Sequence, residues 1–129
     1  NKNKTKAGSR HYIHASDVAD GCLFLIKNRK KIIKKNKIDY GGAKCPKFNL
    51  VGPIELDNLE LAKLIAKSVG KKLKYKMVDF HSSRPGHDLR YALDGNLMKK
   101  LGWKPKVSIE ERIDQVVNWT LKNKRWLKI

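Results

Sequence analysis

The stretch KFNLVGPIELDNLELAKLIAKSVG, residues 47–70, carries the signals of an extended segment followed by a helix. Residues 47–51 favour a short strand, which the Gly-Pro pair after them ends. Asp57 and Glu60 are spaced as a capping pair for a helix, and Gly70 is placed to close it. Between them, apolar side chains recur at helical spacing: Leu61, Leu64, Ile65 and Val69. A strand beside an amphipathic helix predicts a mixed fold.

The chain before this stretch predicts a short extended piece and one long helix. Residues 10–14 read as extended, and Ser16 is placed to cap a helix with Asp17 in its first turn. Apolar residues cover much of that helix, so we expect it to be well buried: Val18, Ala19, Cys22, Leu23, Phe24 and Ile26. Residues 27–37 carry seven basic side chains and are expected to extend the helix as a solvated end. The Asp-Tyr-Gly-Gly run at 39–42 predicts a loop.

The chain after this stretch predicts a second strand and two further helices. Residues 73–77 alternate apolar and lysine side chains, which favours a one-faced strand, and 79–89 read as a loop. Asp94 is placed to cap a short helix ending at Gly102. Ser108, with a glutamate three residues on, opens a last helix with inward-facing Ile113, Val116, Val117 and Leu121. The tryptophans are expected to serve packing: Trp103, Trp119 and Trp126.

These elements predict an α+β fold with few short strands. A length of 129 residues suits one domain or part of one. Residues 1–9 read as a flexible or truncated lead-in, and residues 10–129 as the folded portion. Two short strands do not form a stable sheet alone, so we interpret the chain as part of a larger fold.

The composition is strongly basic, with 30 Lys and Arg against 12 Asp and Glu and a net charge of +18. Such a balance is typical of proteins that bind nucleic acid or anionic membranes. Here 24 of the basic residues are lysines spread over the chain, which favours a solvated surface, so nucleic acid is not the expected partner. No apolar run approaches the ~20 residues of a membrane span, and we predict a cytoplasmic location.

Three possible catalytic or ligand-binding motifs are not supported by the residues around them. Tyr40 and Lys44 match the Tyr-x-x-x-Lys spacing of helical dehydrogenases, but the Gly-Gly pair between them argues against a helix. No two glycines lie two or three positions apart, so no dinucleotide or P-loop fingerprint is present. His11 and His14 lie in a stretch read as extended, face opposite sides and have no Cys or carboxylate set beside them. We therefore predict no catalytic, cofactor-binding or metal-ligating residues in this chain.

The most informative segment is SRPGHDLRY, residues 83–91. A Pro-Gly pair predicts a turn, and Arg84 and His87 flank it with donors able to grip a diphosphate. The same residues also fit a surface turn in which Asp88 and Arg90 form local ion pairs. Spacing alone leaves both interpretations open.

A resemblance to a known family adds to this interpretation. The strings RPGHDLRYALD (84–94), LGWKP (101–105) and VNW (117–119) resemble the C-terminal part of the dTDP-glucose 4,6-dehydratase family. These are extended short-chain dehydrogenases/reductases, Rossmann-type α/β enzymes that act on sugar nucleotides. Other segments are similar to that family in the same order: RHYIHASD (10–17), FNLVG (48–52) and NLE (58–60).

The resemblance implies the substrate-binding part of an NAD-dependent lyase, which converts dTDP-glucose or UDP-glucose to the 4-keto-6-deoxy sugar nucleotide. It implies four residues on the nucleotide-diphosphate side: Arg10, Asn58, Arg84 and His87. NAD, the catalytic residues and the homodimer contacts would belong to an N-terminal Rossmann half absent from this chain. Ser83 stands where the family commonly has Asp, which leaves the choice of nucleotide open.

Three alternatives remain open. One is another extended short-chain enzyme, such as a UDP-sugar dehydratase or epimerase. Another is a basic module that binds nucleic acid or another polyanion. The third is a degenerate, non-catalytic homologue with a role in assembly.

Because the expected catalytic residues are absent, residues 1–129 alone should not turn over dTDP-glucose or UDP-glucose when NAD is added. A product assay for the 4-keto-6-deoxy sugar nucleotide checks this. Measurable turnover above the buffer background would contradict the prediction.

Overall fold

The computed structural model describes residues 7–35, 47–78, 85–86 and 88–127. Within them the chain forms three short strands, four α-helices and a final 3-10 turn. In chain order these are β1 (Ser9–Arg10), α1 (Ala15–Lys35), β2 (Leu56–Asp57), α2 (Asn58–Val69), β3 (Arg90–Tyr91), α3 (Asn96–Leu101), α4 (Ile109–Lys122) and the 3-10 helix Lys124–Leu127. The mixed character and the short strands agree with the α+β expectation. The strand β1 begins one residue inside the predicted lead-in.

The strands form one sheet in the order β2-β1-β3. β1 runs antiparallel to β2, with Ser9 opposite Asp57, and parallel to β3, with Ser9 opposite Arg90. Two backbone bonds extend the pairing: Ser9 N donates to Leu89 O at 2.8 Å, and Asn58 N donates to Gly8 O at 2.9 Å. The central strand therefore joins segments that are far apart in the sequence.

The two predicted strands at 47–51 and 73–77 are wrong, since neither segment is in a strand. Residues 49–52 are held by other contacts. Asn49 Nδ2 donates to Asp94 O at 3.0 Å, and a side chain at Gly52 would place its Cβ 2.0 Å from Tyr12 O. Around the second segment, Tyr75 and Val78 are exposed. Apolar alternation does not form a strand unless a ladder partner and a covering surface are present.

The helix α2 begins and ends where the sequence predicts. Asp57 Oδ1 accepts from Glu60 N at 2.7 Å, and Asp57 N donates to Glu60 Oε2 at 2.8 Å, which completes a capping box. Gly70 follows with φ of 70° and donates its N–H to the carbonyls of Ala66 and Lys67. This left-handed cap is the reason for glycine there.

The other helices follow the sequence signals with small shifts. α1 begins at Ala15, and His14 Nδ1 accepts from Ser16 N at 3.1 Å, so Ser16 is not the capping residue. α1 continues to Lys35 and includes most of the predicted basic extension, whose last residues, with the predicted loop after them, lie outside the described part. Asp94 is not the capping residue of α3, since Gly95 takes that position, although Asp94 Oδ1 accepts from Asn96 N at 2.8 Å. Ser108 Oγ accepts from Glu111 N at 3.1 Å, as predicted for α4.

The main apolar cluster lies between β2 and α4, with α2 packed against it. Its buried members are Leu56, Ile109, Ile113 and Val117. Val116 and Leu121, predicted to face inward, are exposed, because the space beside them between α2 and α4 is an open groove. Trp103 is buried as predicted, whereas Trp119 and Trp126 are exposed and lie against each other with ring centroids 6.3 Å apart.

The helix α1 is attached by polar contacts and by close packing of its Gly21 against Leu50 and Trp103. Arg112 binds the buried Asp17 through two hydrogen bonds of 2.5 and 2.9 Å, and Asp20 accepts from Trp103 Nε1 at 2.9 Å. Leu23 and Ile26 on its far side are more than half exposed, so the expected burial of this helix is wrong for the described chain. No described helix is both long and apolar enough to cross a membrane.

Replacing Gly52 by Ala should prevent native packing, because the new Cβ would overlap Tyr12 O at 2.0 Å. Gly70→Ala is the matched control, since nothing lies within 4 Å of its Cβ position and only backbone strain of about 1–2 kcal/mol is added. Urea unfolding of both variants measures the difference. Equal midpoints for the two variants would contradict the described packing of residues 49–52.

Candidate functional site

Arg10 lies at the centre of the sheet and contacts the segment that leads into β3. Its Nη1 donates to Ser9 O at 2.6 Å and to Leu89 O at 3.3 Å, and its Nη2 donates to Asp88 O at 3.2 Å. The guanidinium also stacks over the Tyr91 ring at 4.3 Å from its centroid. These contacts hold the guanidinium plane in one orientation. They account for three of its five N–H groups, and the other two have no hydrogen-bond acceptor among the described residues.

Asn58 stands beside Arg10 at the start of α2. Its side-chain Oδ1 accepts from the Tyr12 hydroxyl at 2.6 Å, which directs the amide. The position that a Cβ would take on Gly8 is 3.6 Å from Asn58 Nδ2 and 3.7 Å from Arg10 Nη1. The structure therefore brings the predicted residues Arg10 and Asn58 together around a buried glycine.

Glu55 connects all three strands through one carboxylate. It accepts from Ser9 Oγ at 2.7 Å, and it binds Arg90 through Nε at 2.7 Å and Nη2 at 2.8 Å. Hydrogen bonds from Arg90, and then from Ser9, lower the pKa of Glu55 from 4.5 to about 2. The same pairing raises the pKa of Arg90. We call Ser9, Glu55 and Arg90 the carboxylate clasp.

Two clefts lie near Arg10, and neither is lined by Asn58 or by the carboxylate clasp. One, of about 340 Å³, lies next to Arg10 and Tyr91, and the other, of about 400 Å³, reaches toward Trp103 and Lys104. His11 lines both, and its buried Nδ1 has no hydrogen-bond partner among the described residues. The clefts combine cationic, aromatic and amide groups, a set that suits a negatively charged ligand with a ring.

A third groove, of about 390 Å³, lies between α2 and α4 and is almost wholly apolar. Its walls include Ile65, Val69 and Val116, and the one guanidinium beside it, that of Arg112, is bound to Asp17. Its other polar side chains, those of Tyr12, His14 and Thr120, are also hydrogen-bonded within the chain, so we place the candidate site at the sheet.

The other two predicted site residues, Arg84 and His87, lie outside the described residues. The turn between them is described: Pro85 and Gly86 are both exposed, and Gly86 has φ of +78°. The Tyr40 and Lys44 pair also lies outside the described part. Among the residues that are described, no three His, Cys, Asp or Glu side chains are grouped to hold a metal ion.

Three residues at this site were not identified from the sequence: Glu55, Tyr91 and Ser9. Tyr91 and Arg90 belong to the segment 83–91 that was singled out, so a signal for them was present. Glu55 follows a Gly-Pro turn and has no distinctive spacing. Its role depends on contacts with Ser9 and Arg90, which are distant in sequence.

Comparison with known proteins confirms the resemblance to dTDP-glucose 4,6-dehydratases. The chain is 34% identical to the enzyme of that name from Escherichia coli over 89 residues, 61% of this chain and 25% of that protein. It is 38% identical to the one from Streptomyces niveus over 87 residues, 67% of this chain and 25% of that protein. The match falls in the C-terminal portion of these relatives.

A different relative covers more of the chain. A putative GDP-L-fucose synthase 2 from Arabidopsis thaliana is 30% identical over 114 residues, 88% of this chain and 30% of that protein. The chain thus spans between a quarter and a third of the length of these relatives. No family model matches the chain, and no solved structure matches it either.

The low pKa of Glu55 predicts how its contribution to folding stability changes in acid. An ionised Glu55 favours the folded state, and that contribution is complete above pH 4.5 and is lost as the pH falls toward about 2. The stability difference between the wild-type chain and Glu55→Gln should therefore shrink over this range. Urea midpoints measured from pH 6 to pH 2 check this, with Glu110→Gln on α4 as the charge-matched control. A difference that stays constant down to pH 2 would contradict the clasp.

Proposed function

We propose that this chain is the substrate-binding part of an NAD-dependent sugar-nucleotide 4,6-dehydratase. Its substrate would be dTDP-glucose or UDP-glucose, and the product the 4-keto-6-deoxy sugar nucleotide. The observation that carries the proposal is the meeting of Arg10 and Asn58 around Gly8. These residues were selected by their resemblance to the family, and the sheet brings them together from separate parts of the chain.

The geometry around Arg10 suits a diphosphate. The stack on Tyr91 and the bonds to Asp88 O and Leu89 O orient the guanidinium before any ligand arrives. Its two remaining N–H groups and the Asn58 amide are donors, which matches the acceptor oxygens of a diphosphate. Preorganised donors bind an anion with little loss of side-chain entropy.

Arg84 and His87 complete the proposed set of residues that bind the nucleotide diphosphate. In sequence they stand on either side of the exposed Pro85–Gly86 turn, and Asp88 and Leu89 after it bind Arg10 through their carbonyls. The turn is therefore tethered at its C-terminal end to the candidate site. We propose that the arginine contacts the diphosphate and that the imidazole lies against the nucleotide.

The residues of this chain do not provide a binding site for NAD. The sequence has no glycine pair two or three positions apart, and a dinucleotide turn needs such spacing for the backbone to approach the pyrophosphate. We propose that NAD, the catalytic acid and base, and the homodimer contacts lie on a Rossmann half outside this chain, in a cytoplasmic enzyme. The role of this portion is then to bind and orient the sugar nucleotide.

A second candidate is a different extended short-chain enzyme acting on sugar nucleotides, a UDP-sugar dehydratase or an epimerase. The observation that favours it is the similarity to the putative GDP-L-fucose synthase, which covers 88% of this chain. Both candidates use the same nucleotide-diphosphate site. The nucleotide that binds and the product that forms distinguish them.

Titration calorimetry of dTDP and UDP into the chain tests the site. Arg10→Ala and Arg84→Ala should each weaken binding about tenfold or more, because each removes charged hydrogen bonds worth about 1.5–3 kcal/mol. Arg29→Ala on the exposed face of α1 is the matched control, since it removes one guanidinium away from the sheet and should leave binding unchanged.

Two results would contradict the proposal. One is the absence of dTDP or UDP binding in a chain shown to be folded by circular dichroism. The other is tight, salt-sensitive binding of single-stranded DNA that disappears when the lysines of 27–37 are neutralised and persists in Arg84→Ala. That second result would favour the basic polyanion-binding module.

A further inference from the structure

We propose that Glu55 is a positioning residue for the nucleotide-diphosphate site, acting through Arg90 and Ser9 rather than by touching the substrate. This inference rests on the proposed function, since it concerns how Arg10 is presented to the nucleotide. The carboxylate clasp would fix the register of β3 against β1. That register places Tyr91 under Arg10 and the Asp88–Leu89 carbonyls beside its guanidinium.

The sheet needs such a device because its strands are very short. Each strand has two residues, and the β1–β3 pairing consists of Ser9 with Arg90 and Arg10 with Tyr91. Such a short ladder has few hydrogen bonds with which to define its own register. A slip by one residue would move every side chain of β3 to the opposite face.

The carboxylate clasp joins the residue pair of the β1–β3 ladder that lies next to Arg10 and Tyr91. Ser9 and Arg90 face each other across the ladder, and Glu55 accepts hydrogen bonds from both, at 2.7 Å from Ser9 Oγ and 2.7 Å from Arg90 Nε. In this register one carboxylate accepts from a donor on each of the two strands. The following pair is Arg10 with Tyr91, whose stacking distance is 4.3 Å.

The geometry of the ion pair supports a positioning role. The Arg90 guanidinium is bidentate, with Nε at 2.7 Å and Nη2 at 2.8 Å, so the angle as well as the distance is defined. Exposed ion pairs usually add little stability. The side chain of Glu55 is only 28% exposed and accepts a third hydrogen bond from Ser9. These contacts restrict the position of the carboxylate more than an ordinary exposed ion pair would.

The direct test is a charge swap in the full chain, followed by titration calorimetry with dTDP and UDP. Glu55→Gln and Arg90→Glu should each weaken nucleotide binding about tenfold while the far-ultraviolet circular dichroism is unchanged. The double variant Glu55→Arg with Arg90→Glu should restore binding to within about threefold of wild type. Glu110→Gln, an exposed carboxylate on α4, controls for the loss of one negative charge and should bind as wild type.

A second readout separates the clasp from the nucleotide site. Ser9 N donates to Leu89 O at 2.8 Å, so hydrogen exchange at the Ser9 amide reports on the β1–β3 register without a ligand. Protection should fall in Glu55→Gln and recover in the double variant. Arg10→Ala, which leaves the clasp in place, should weaken binding and keep most of this protection.

The outcomes are distinguishable. Wild-type binding of nucleotide by Glu55→Gln, or failure of the swap to restore binding, would overturn the positioning role. If the wild-type chain itself does not bind, the proposed function fails, and with it the link from the clasp to the nucleotide. Ser9 exchange then still shows whether Glu55 holds the register, and unchanged exchange in Glu55→Gln would overturn the clasp as well.

Discussion

The position of β1 between two other strands is the constraint on which the site depends. Gly8 allows it, because a Cβ there would lie 3.3 Å from Leu89 O, where the chain enters β3. Ser9 then pairs with both neighbouring strands, and Arg10 points its guanidinium at the carbonyls of Asp88 and Leu89. Asn58 is held on the other side by its bond to Gly8 O. A displacement of this one strand would separate the Arg10 guanidinium from the Asn58 amide, the two groups that define the candidate site.

The helices could be predicted from the sequence because their signals are local. The capping box of Asp57 and Glu60 and the left-handed Gly70 lie within a few residues of the helix they define. The same holds for Ser108 ahead of α4. Burial was less predictable, because it depends on which other element covers a face. Val116 and Leu121 were predicted to face inward, yet they are 46% and 44% exposed.

The strands and part of the site could not be predicted because their partners are distant. Residues 47–51 have the apolar content of a strand, whereas the observed strand β2 consists of Leu56 and Asp57 and is defined by its pairing with β1. Arg10 and Asn58 were identified through family resemblance, and spacing alone would have missed them. Glu55 was missed altogether, since a carboxylate after a turn acquires its role only when Ser9 and Arg90 reach it.

The long separation between the paired strands also determines when the site can exist during folding. Ser9 and Glu55 are 46 residues apart and Arg10 and Leu89 are 79 apart, so their contacts close large loops. We expect α1 and α2, which depend on local contacts, to form first and β3 to pair with β1 afterwards. On a ribosome, β1 can pair with β2 once residue 57 has emerged, but its other edge waits for β3 until residue 91 has emerged. The candidate site is then among the last parts of this chain to assemble, and slowing of translation after α2 would prolong that exposed state.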